Sequence, residues 1–513
     1  MLSVNILHAL GLHLYQPAGN LHRLLRDNEG ELRRILLSYE RLVRHAHKYA
    51  DVARLHVAVS PVLLEQLRDP DLIEACRDLA DIPSILESLR SAVSIEFIGT
   101  GFRHAPLPLI PRPDWDEQLR NERATLEATL GRVPKGYWPP EDECIPEMIP
   151  ALVKVGYEYL LLSASALVAP DGGNVDPYRV YKLCHEGACI TVVPLDPGFS
   201  QSQQYGLEAP WFADAVRDGV AQAPASEVPY LLSTWSDGEN GEWFRRLDEE
   251  YGYFGQFFSP YMEFCENGEF PVRPIFLSDY LSYVRPQVEV ELREAAPLAL
   301  DTAMHDKLFS VSASYWSLAR GDTGQAVPSL KELLQARDML LCAEESALLL
   351  GDAVQQQELL DLLSRAERIL TPKQTAKIRT EEPKLVAQAV APAPIAKNKA
   401  EAPKPAPEAV APAPIVKVRA EERKPAAETA APVPTAKIGA EESKPAAEAV
   451  ALVPTAGSLK DIEPELEKEA PPKAYRPKSQ GPVSPAKPTK ARRPAAVSKG
   501  VTRSARTKKS RKK

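Results

Sequence analysis

Large apolar and aromatic side chains are almost missing from the last 143 of the 513 residues, where Tyr475 is the one aromatic. All six Cys, all six Trp and all twelve Phe precede residue 371, whereas 22 of the 48 Pro follow residue 370. A segment so short of surface to bury cannot offset the entropy of ordering its backbone, so only about the first 370 residues are expected to fold. Runs of about 18 apolar residues are also absent, which argues against a membrane-spanning helix. The apolar opening, Met1 to Leu14, has no basic residue before it and reads as a buried strand. Cysteine is sparse and scattered, which gives no disulfide framework and makes the cytoplasm the default compartment.

Acidic residues are missing from the final 43 positions, which hold 15 basic ones. From residue 371 onward there are 30 Lys and Arg against 15 Asp and Glu, and upstream 32 against 55. The total of −8 thus conceals a folded part near −23 and a tail near +15. So acidic a body argues against a nucleic-acid-binding core. Weak, salt-sensitive contact with a polyanion is expected only of the tail, chiefly Lys487 to Lys513.

Within the tail, Ala391-Pro392-Ala393-Pro394 returns as Ala411-Pro412-Ala413-Pro414 and, slightly changed, as Ala431-Pro432-Val433-Pro434. These repeats lack the apolar face that stacking would bury, so they read as a disordered linker and not as a solenoid. The expected organisation is a main folded part over 1–300, a helical domain over 301–370, a repeat linker over 371–470 and a basic tail over 471–513.

In the first 300 residues short, continuous apolar runs alternate with helical patterns. Val4 to Leu14, Leu55 to Ser60, Val93 to Gly99, Tyr157 to Ser163, Cys189 to Leu195 and Tyr230 to Trp235 read as strands. Glu31 to Ala50, Pro61 to Arg90, Trp115 to Leu130 and Cys144 to Val155 read as helices. That order predicts βαβ units and an α/β fold, either a barrel or a doubly wound sheet. Chemistry in a parallel barrel gathers where strands end and loops begin.

Four motifs sit at such places. Gly11-Leu12-His13-Leu14-Tyr15-Gln16-Pro17 sets polar side chains just after the first strand. Gly99-Thr100-Gly101-Phe102-Arg103-His104 turns tightly and leaves through a Pro/Leu run. Gly136-Tyr137-Trp138-Pro139-Pro140-Glu141 holds a carboxylate in a Pro-stiffened segment beside an indole, which suits attack on a sugar stacked on an aromatic face. Thr234-Trp235-Ser236-Asp237-Gly238-Glu239 delivers clustered acids at a strand end, where carboxylates raise one another's pKa. Taken singly, each has a plainer reading: a satisfied His, a rigid loop, a helix-starting Glu, or an acidic turn that could bind calcium.

In sequence the four resemble glycoside hydrolase family 57. The resemblance implies a retaining enzyme acting on α-glucans, amylase-like or 4-α-glucanotransferase-like, on an incomplete (β/α)7 barrel followed by helices. It implies Glu141 as nucleophile and Asp237 as acid/base. His13, Tyr15, Gln16, His104, Trp138, Trp235, Glu239 and, through Val311 to Trp316, Trp316 would be substrate-binding. Tyr15 stands where many members have a second His, exchanging an imidazole for a phenol. The expected partner is an α-glucan or maltooligosaccharide; no cofactor and no metal are expected. Oligomeric state is not encoded in any feature of the chain.

Two rival readings bear on the same residues. A metal-dependent deacetylase needs paired His at ligand spacing, but His45 and His47 lie two apart on a helix and point to different faces. A family-57 fold that binds or scaffolds carbohydrate without turnover is the other, motivated by Tyr15 and the tail. Cys184-His185-Glu186-Gly187-Ala188-Cys189 has the ingredients of a metal site but reads as a hairpin turning at Gly187.

Overall fold

The computed structural model describes residues 6–294, 301–321 and 327–371. From residue 372 onward the expected linker and basic tail lie outside the described residues. The strands are β1 (Ile6–Leu14), β2 (Leu55–Val59), β3 (Ile95–Gly99), β4 (Gly136–Tyr137), β5 (Tyr159–Ser163), β6 (Leu167–Val168), β7 (Tyr181–His185), β8 (Ala188–Leu195), β9 (Tyr230–Asp237), β10 (Val272–Pro274) and β11 (Glu291–Leu292).

Seven of them run parallel in the order β9-β1-β2-β3-β4-β5-β8. The outer two, β8 and β9, approach through a backbone hydrogen bond from Asp196 N to Ser233 O at 2.9 Å. This is the incomplete seven-stranded barrel, with β10 paired to the first half of β1 and β7 returning antiparallel on β8.

Side chains alternate across each strand. Leu7 and Ala9 of β1, Ala58 of β2, Ile98 of β3, Tyr159 and Leu161 of β5, Val193 and Leu195 of β8, and Leu231 and Trp235 of β9 pack together as one inner core. Leu10, Leu12 and Leu14 face the other way, into a core shared with the helix Glu29–Lys48. By that alternation Gly11 and His13 on β1, Tyr15 just after it, and Asp237 on β9 continue the inward row at the end where the strands leave the sheet. The helix Leu277–Tyr283 adds Leu277, Tyr280 and Leu281 to the inner core. Its Tyr280 hydroxyl donates to Pro229 O just before β9, so it sits at the opposite end.

Local chemistry explains where the helical reading needed correction. Pro61 to Arg90 is three helices, Pro61–Leu67, Pro70–Cys76 and Ile82–Ser91. Asp69 and Asp81 each accept a backbone N–H at the start of the next helix, and Pro70 removes a donor that continuing the first helix would need. Cys144 to Val155 is helical only over Met148–Val155. Strand β4 escaped the pattern because two residues have no period.

The hairpin at Gly187 is present, with Glu186 and Gly187 both at positive φ (47° and 79°) as a two-residue turn of that hand requires. Its strands are joined by a Cys184–Cys189 disulfide, a pairing that the scattered spacing had not suggested.

The helices Thr302–Arg320, Leu330–Ala343, Ser346–Leu350 and Ala353–Leu370 pack on the β4–β5 side, sharing a core with Leu119, Leu152 and Leu160. Arg337 is buried between them and the barrel, paired with Asp114 at 2.8 Å and Glu117 at 2.8 Å. Among the described residues no helix is long and apolar enough to cross a membrane.

Candidate active site

The exits of β1, β3, β4 and β9 meet around one aromatic cluster. His13 lies opposite Asp237 in the parallel register of β1 and β9, and Gly238 N donates to His13 O at 2.9 Å. The His13 ring stacks on His104 with centroids 4.8 Å apart and meets Trp138 at 4.7 Å. Tyr15 also stacks on His104 at 4.1 Å, and Trp138 meets Trp235 at 5.4 Å. Five of the residues expected from the sequence, His13, Tyr15, His104, Trp138 and Trp235, thus form one continuous wall.

Its electrostatics follow from burial. The His13 imidazole is lowered to about 4 because burial disfavours its cation, against the opposing pull of the Asp237 charge. His104 is held well below the ordinary imidazole value by burial and then by His13. Both rings are therefore neutral near pH 7, and His13 Nε2 is buried with no hydrogen-bond partner among the described residues. Trp235 Nε1 is likewise unpartnered. Neutral rings with free donors or acceptors suit a hydroxyl-rich ligand better than a charged one.

Glu141 follows Trp138 by three residues and is open to solvent. Its φ of 59° and that of Asp142, 58°, put two non-glycine residues in the left-handed region, a conformation costing about 1–2 kcal/mol each. Pro139 and Pro140 hold this turn, with Asp142 N and Glu143 N donating back to their carbonyls. The Trp138 indole donates to Asp142 Oδ1 at 2.8 Å, fixing the ring. The Glu141 carboxyl is raised, first by crowding of the surrounding protein and then by Asp142, while the neighbouring Ser346 hydroxyl opposes the shift. His104 has a positive φ too, 51°, so strained backbone gathers where the cluster is assembled.

At the end of β9, Asp237 is half-buried and its Oδ1 accepts from Glu239 N and Asn240 N, both at 2.9 Å. Asp237 N donates to Gln204 Oε1 at 2.7 Å. Glu239 is fully buried and turned away from the cluster: its carboxylate accepts from Tyr15 N at 2.9 Å, from Gln16 Nε2 at 2.8 Å and from the Tyr39 hydroxyl. Burial, then the Asp237 charge, push the Glu239 carboxyl well up. Gln16 is buried as well, its carbonyl taken by Asn20. Glu239 and Gln16 therefore bind the β1 and β9 exits to each other. Trp316 stands apart from the wall, its indole donating to Asp114 Oδ1 at 2.7 Å and its face covered by Arg320 and Arg337.

Several supporting residues have no local signature. Gln203 donates to Gly11 O at 2.8 Å and to Ser236 Oγ at 2.7 Å and accepts from Thr234 Oγ1 at 2.6 Å, lacing β1 to β9. Glu122 accepts from Tyr157 at 2.6 Å and from Thr100 N, suspending the loop whose Thr100 hydroxyl meets His104 Nδ1 at 3.0 Å. Polar residues on the inner face of an amphipathic helix, as Gln118 and Glu122 are, were the one available hint. No group of three or more His, Cys, Asp or Glu is gathered in a metal-holding arrangement among the described residues.

Comparison with known proteins bears on the family and the fold. The alpha-amylase 1 of Dictyoglomus thermophilum is 24% identical over 302 residues, which is 57% of this chain and 40% of that protein. The chain thus spans less than half the length of that relative. Among solved structures, the 4-alpha-glucanotransferase of Thermococcus litoralis superposes with a TM-score of 0.54 at 19% identity, covering 72% of this chain and 61% of that one. A GH57-type branching enzyme from Pyrococcus horikoshii gives 0.51 at 16% identity, covering 71% and 87%. These two likenesses bear on the fold alone. The profile of glycosyl hydrolase family 57 matches residues 15–292, more than half of the sequence and the span from Tyr15 to Glu239, and the chain belongs to that family.

Proposed function

We propose that this chain is a retaining glycoside hydrolase or transglycosylase of α-1,4-glucans, with Glu141 as nucleophile and Asp237 as acid/base. The observation that carries the reading is the position of His13. Its ring is in contact with Trp138, three residues before Glu141, and its strand neighbour is Asp237. One neutral imidazole thus links the two strand ends that bear the carboxyls. Residues 1–300 are read as the catalytic barrel and 301–370 as a helical domain packed on it, with Trp316 a more distant substrate contact.

In this mechanism a pyranose lies against the wall of His13, Tyr15, His104 and Trp138, where flat apolar faces stack on the sugar ring. Glu141 attacks the anomeric carbon as Asp237 protonates the departing glycosidic oxygen, giving a covalent glycosyl-enzyme. Asp237 then deprotonates the acceptor, water in hydrolysis and a sugar hydroxyl in transfer, as its oxygen attacks the anomeric carbon and the bond to Glu141 breaks, freeing the carboxylate. The two carboxyls must stand about 5–5.5 Å apart for this route. Glu141 needs no general base of its own, because a carboxylate is already the nucleophilic form. The names of relatives found by sequence, an alpha-amylase and a 4-alpha-glucanotransferase, support an α-glucan as substrate.

Chromatography of maltoheptaose digests tests the reading. Shorter sugars alone mean hydrolysis, longer ones mean transfer, and new α-1,6 linkages mean branching. Glu141→Gln is expected to cut turnover by at least a factor on the order of a thousand. Turnover that survives the substitution removes Glu141 from its role.

A further inference from the structure

Glu345 lies well outside the family-matched residues 15–292, in the corner between the helices Leu330–Ala343 and Ser346–Leu350, yet it reaches the barrel mouth. It is 2% exposed, an expensive place for a carboxylate unless donors meet it. Two do: the Tyr15 hydroxyl at 2.8 Å and Ala18 N at 2.9 Å, both on the same oxygen. Tyr15 is thereby held at three points. Glu239 takes its backbone N–H, Glu345 takes its phenol, and its ring lies on His104.

The neighbours of Glu345 act on the same mouth. Glu344 accepts from Gln118 Nε2 at 2.6 Å, and Gln118 in turn accepts from Arg103 N at 3.0 Å, next to His104. Ser346 is buried, and its hydroxyl lies beside both Glu141 and Tyr15. Three consecutive residues of the helical part therefore face the exits of β1, β3 and β4. A tyrosine is needed at position 15 for the grip, because an imidazole ends short of the place where the phenol oxygen meets Glu345.

We propose that Glu345 is a positioning residue of the sugar site, acting through Tyr15, whose ring it holds against His104 as part of the wall that receives the pyranose. The inference rests on the α-glucan reading for the identity of the ligand, but not for the grip itself. A carboxylate accepting a phenolic proton and a backbone N–H fixes the ring in one orientation, and a misplacement of about 1 Å at a reacting centre costs on the order of a hundredfold in rate.

The test uses full-length Glu345→Ala, Glu345→Gln, Tyr15→Phe and the double variant Tyr15→Phe/Glu345→Ala. On maltoheptaose, Glu345→Ala and Tyr15→Phe are each expected to lower kcat/KM by about tenfold or more, and the double variant by no more than the worse single one. Glu345→Gln keeps an acceptor oxygen and should stay within about threefold of wild type. The second readout is titration of the His104 imidazole by 15N-edited NMR, in a ring faced by His13, Tyr15, Thr100 and Trp138. It should stay neutral well below pH 6 in wild type and Glu345→Gln, and protonate nearer the ordinary value of about 6.5 in Glu345→Ala.

Single-variant effects that multiply in the double variant, or a His104 titration unmoved by Glu345→Ala, overturn the proposal. A wild-type protein inactive on every glucan would instead sink the α-glucan reading, and the NMR titration would then decide the role of Glu345 alone. Glu345→Gln guards against misfolding as the cause, since it preserves volume and hydrogen-bond count.

Discussion

Gly11 and Trp235 are directly opposite each other on β1 and β9, and the indole lies so close over the glycine that a methyl group there would stand 2.0 Å from Trp235 Cε3. The smallest side chain on one strand is thus what admits the largest on the next, and Trp235 carries the wall on toward Trp138. Gly11→Ala is expected to push the indole out of the barrel or to part the two strands. Overpacking of this kind costs about 1–3 kcal/mol. Thermal unfolding should show that loss, and kcat/KM on maltoheptaose should fall by at least about tenfold. A variant that melts and turns over like wild type would mean that Trp235 has room to move.

Glu122 is buried beneath the His104 loop, and burial raises its carboxyl to about 7 in spite of the donors it meets. The folded state therefore holds this proton more tightly than the unfolded chain, whose Glu titrates near 4.5. The stabilising contribution is complete below about pH 4.5 and is lost as pH rises through 7, by an amount on the order of 3 kcal/mol. Glu122→Gln cannot titrate. Melting temperatures measured from pH 5 to 8 should show the wild type falling relative to the variant by roughly a few degrees. A difference that stays constant across this range would show that Glu122 keeps one charge state throughout.

Arg337 joins the helical part to the barrel through ion pairs with Asp114 and Glu117, and Asp114 also accepts from Ser312 Oγ at 2.7 Å. Asp114 and Glu344, which flank it, have no exposed surface. Removing the cation leaves buried carboxylates uncompensated. Arg337→Met should destabilise the protein by about 3–5 kcal/mol, more than any exposed pair would be worth. Calorimetry checks this. A loss below about 1 kcal/mol would place water or a protonated carboxyl at the site.

What the sequence disclosed depended on whether a feature was periodic or local. Continuous apolar strands with helices between them announced the parallel sheet, and β1, β2, β3, β5, β8 and β9 were legible from runs such as Leu55–Val59 and Tyr159–Ser163. The wall was legible because His13, His104, Trp138 and Trp235 are unusual residues at strand exits. What stayed hidden was contact between distant segments. Nothing near Tyr39, Gln203 or Glu345 in the chain tells that they reach Glu239, Gly11 and Tyr15. The burial of Glu239 away from the wall follows from the same cause: a cluster of acids is visible in the sequence, but not which of them the tyrosines bury.

Truncation after Thr371 is the remaining prediction, and it follows from where large apolar and aromatic side chains become scarce in the sequence. Leu359, Leu363, Ala366 and Leu370 belong to the core shared by the helices, and no large apolar run follows them in the sequence. Removing residues 372–513 is expected to leave kcat and KM on maltoheptaose within about twofold, since surface changes away from packed features shift stability by no more than about 0.5 kcal/mol. The same truncation removes a net positive segment from a protein whose remaining part is strongly acidic. Retention of the full chain on immobilised heparin should therefore fall steeply with salt and vanish in the truncated protein. Retention that persists without the tail would place the polyanion contact on the folded part, and lost turnover would place the boundary of the catalytic unit beyond residue 371.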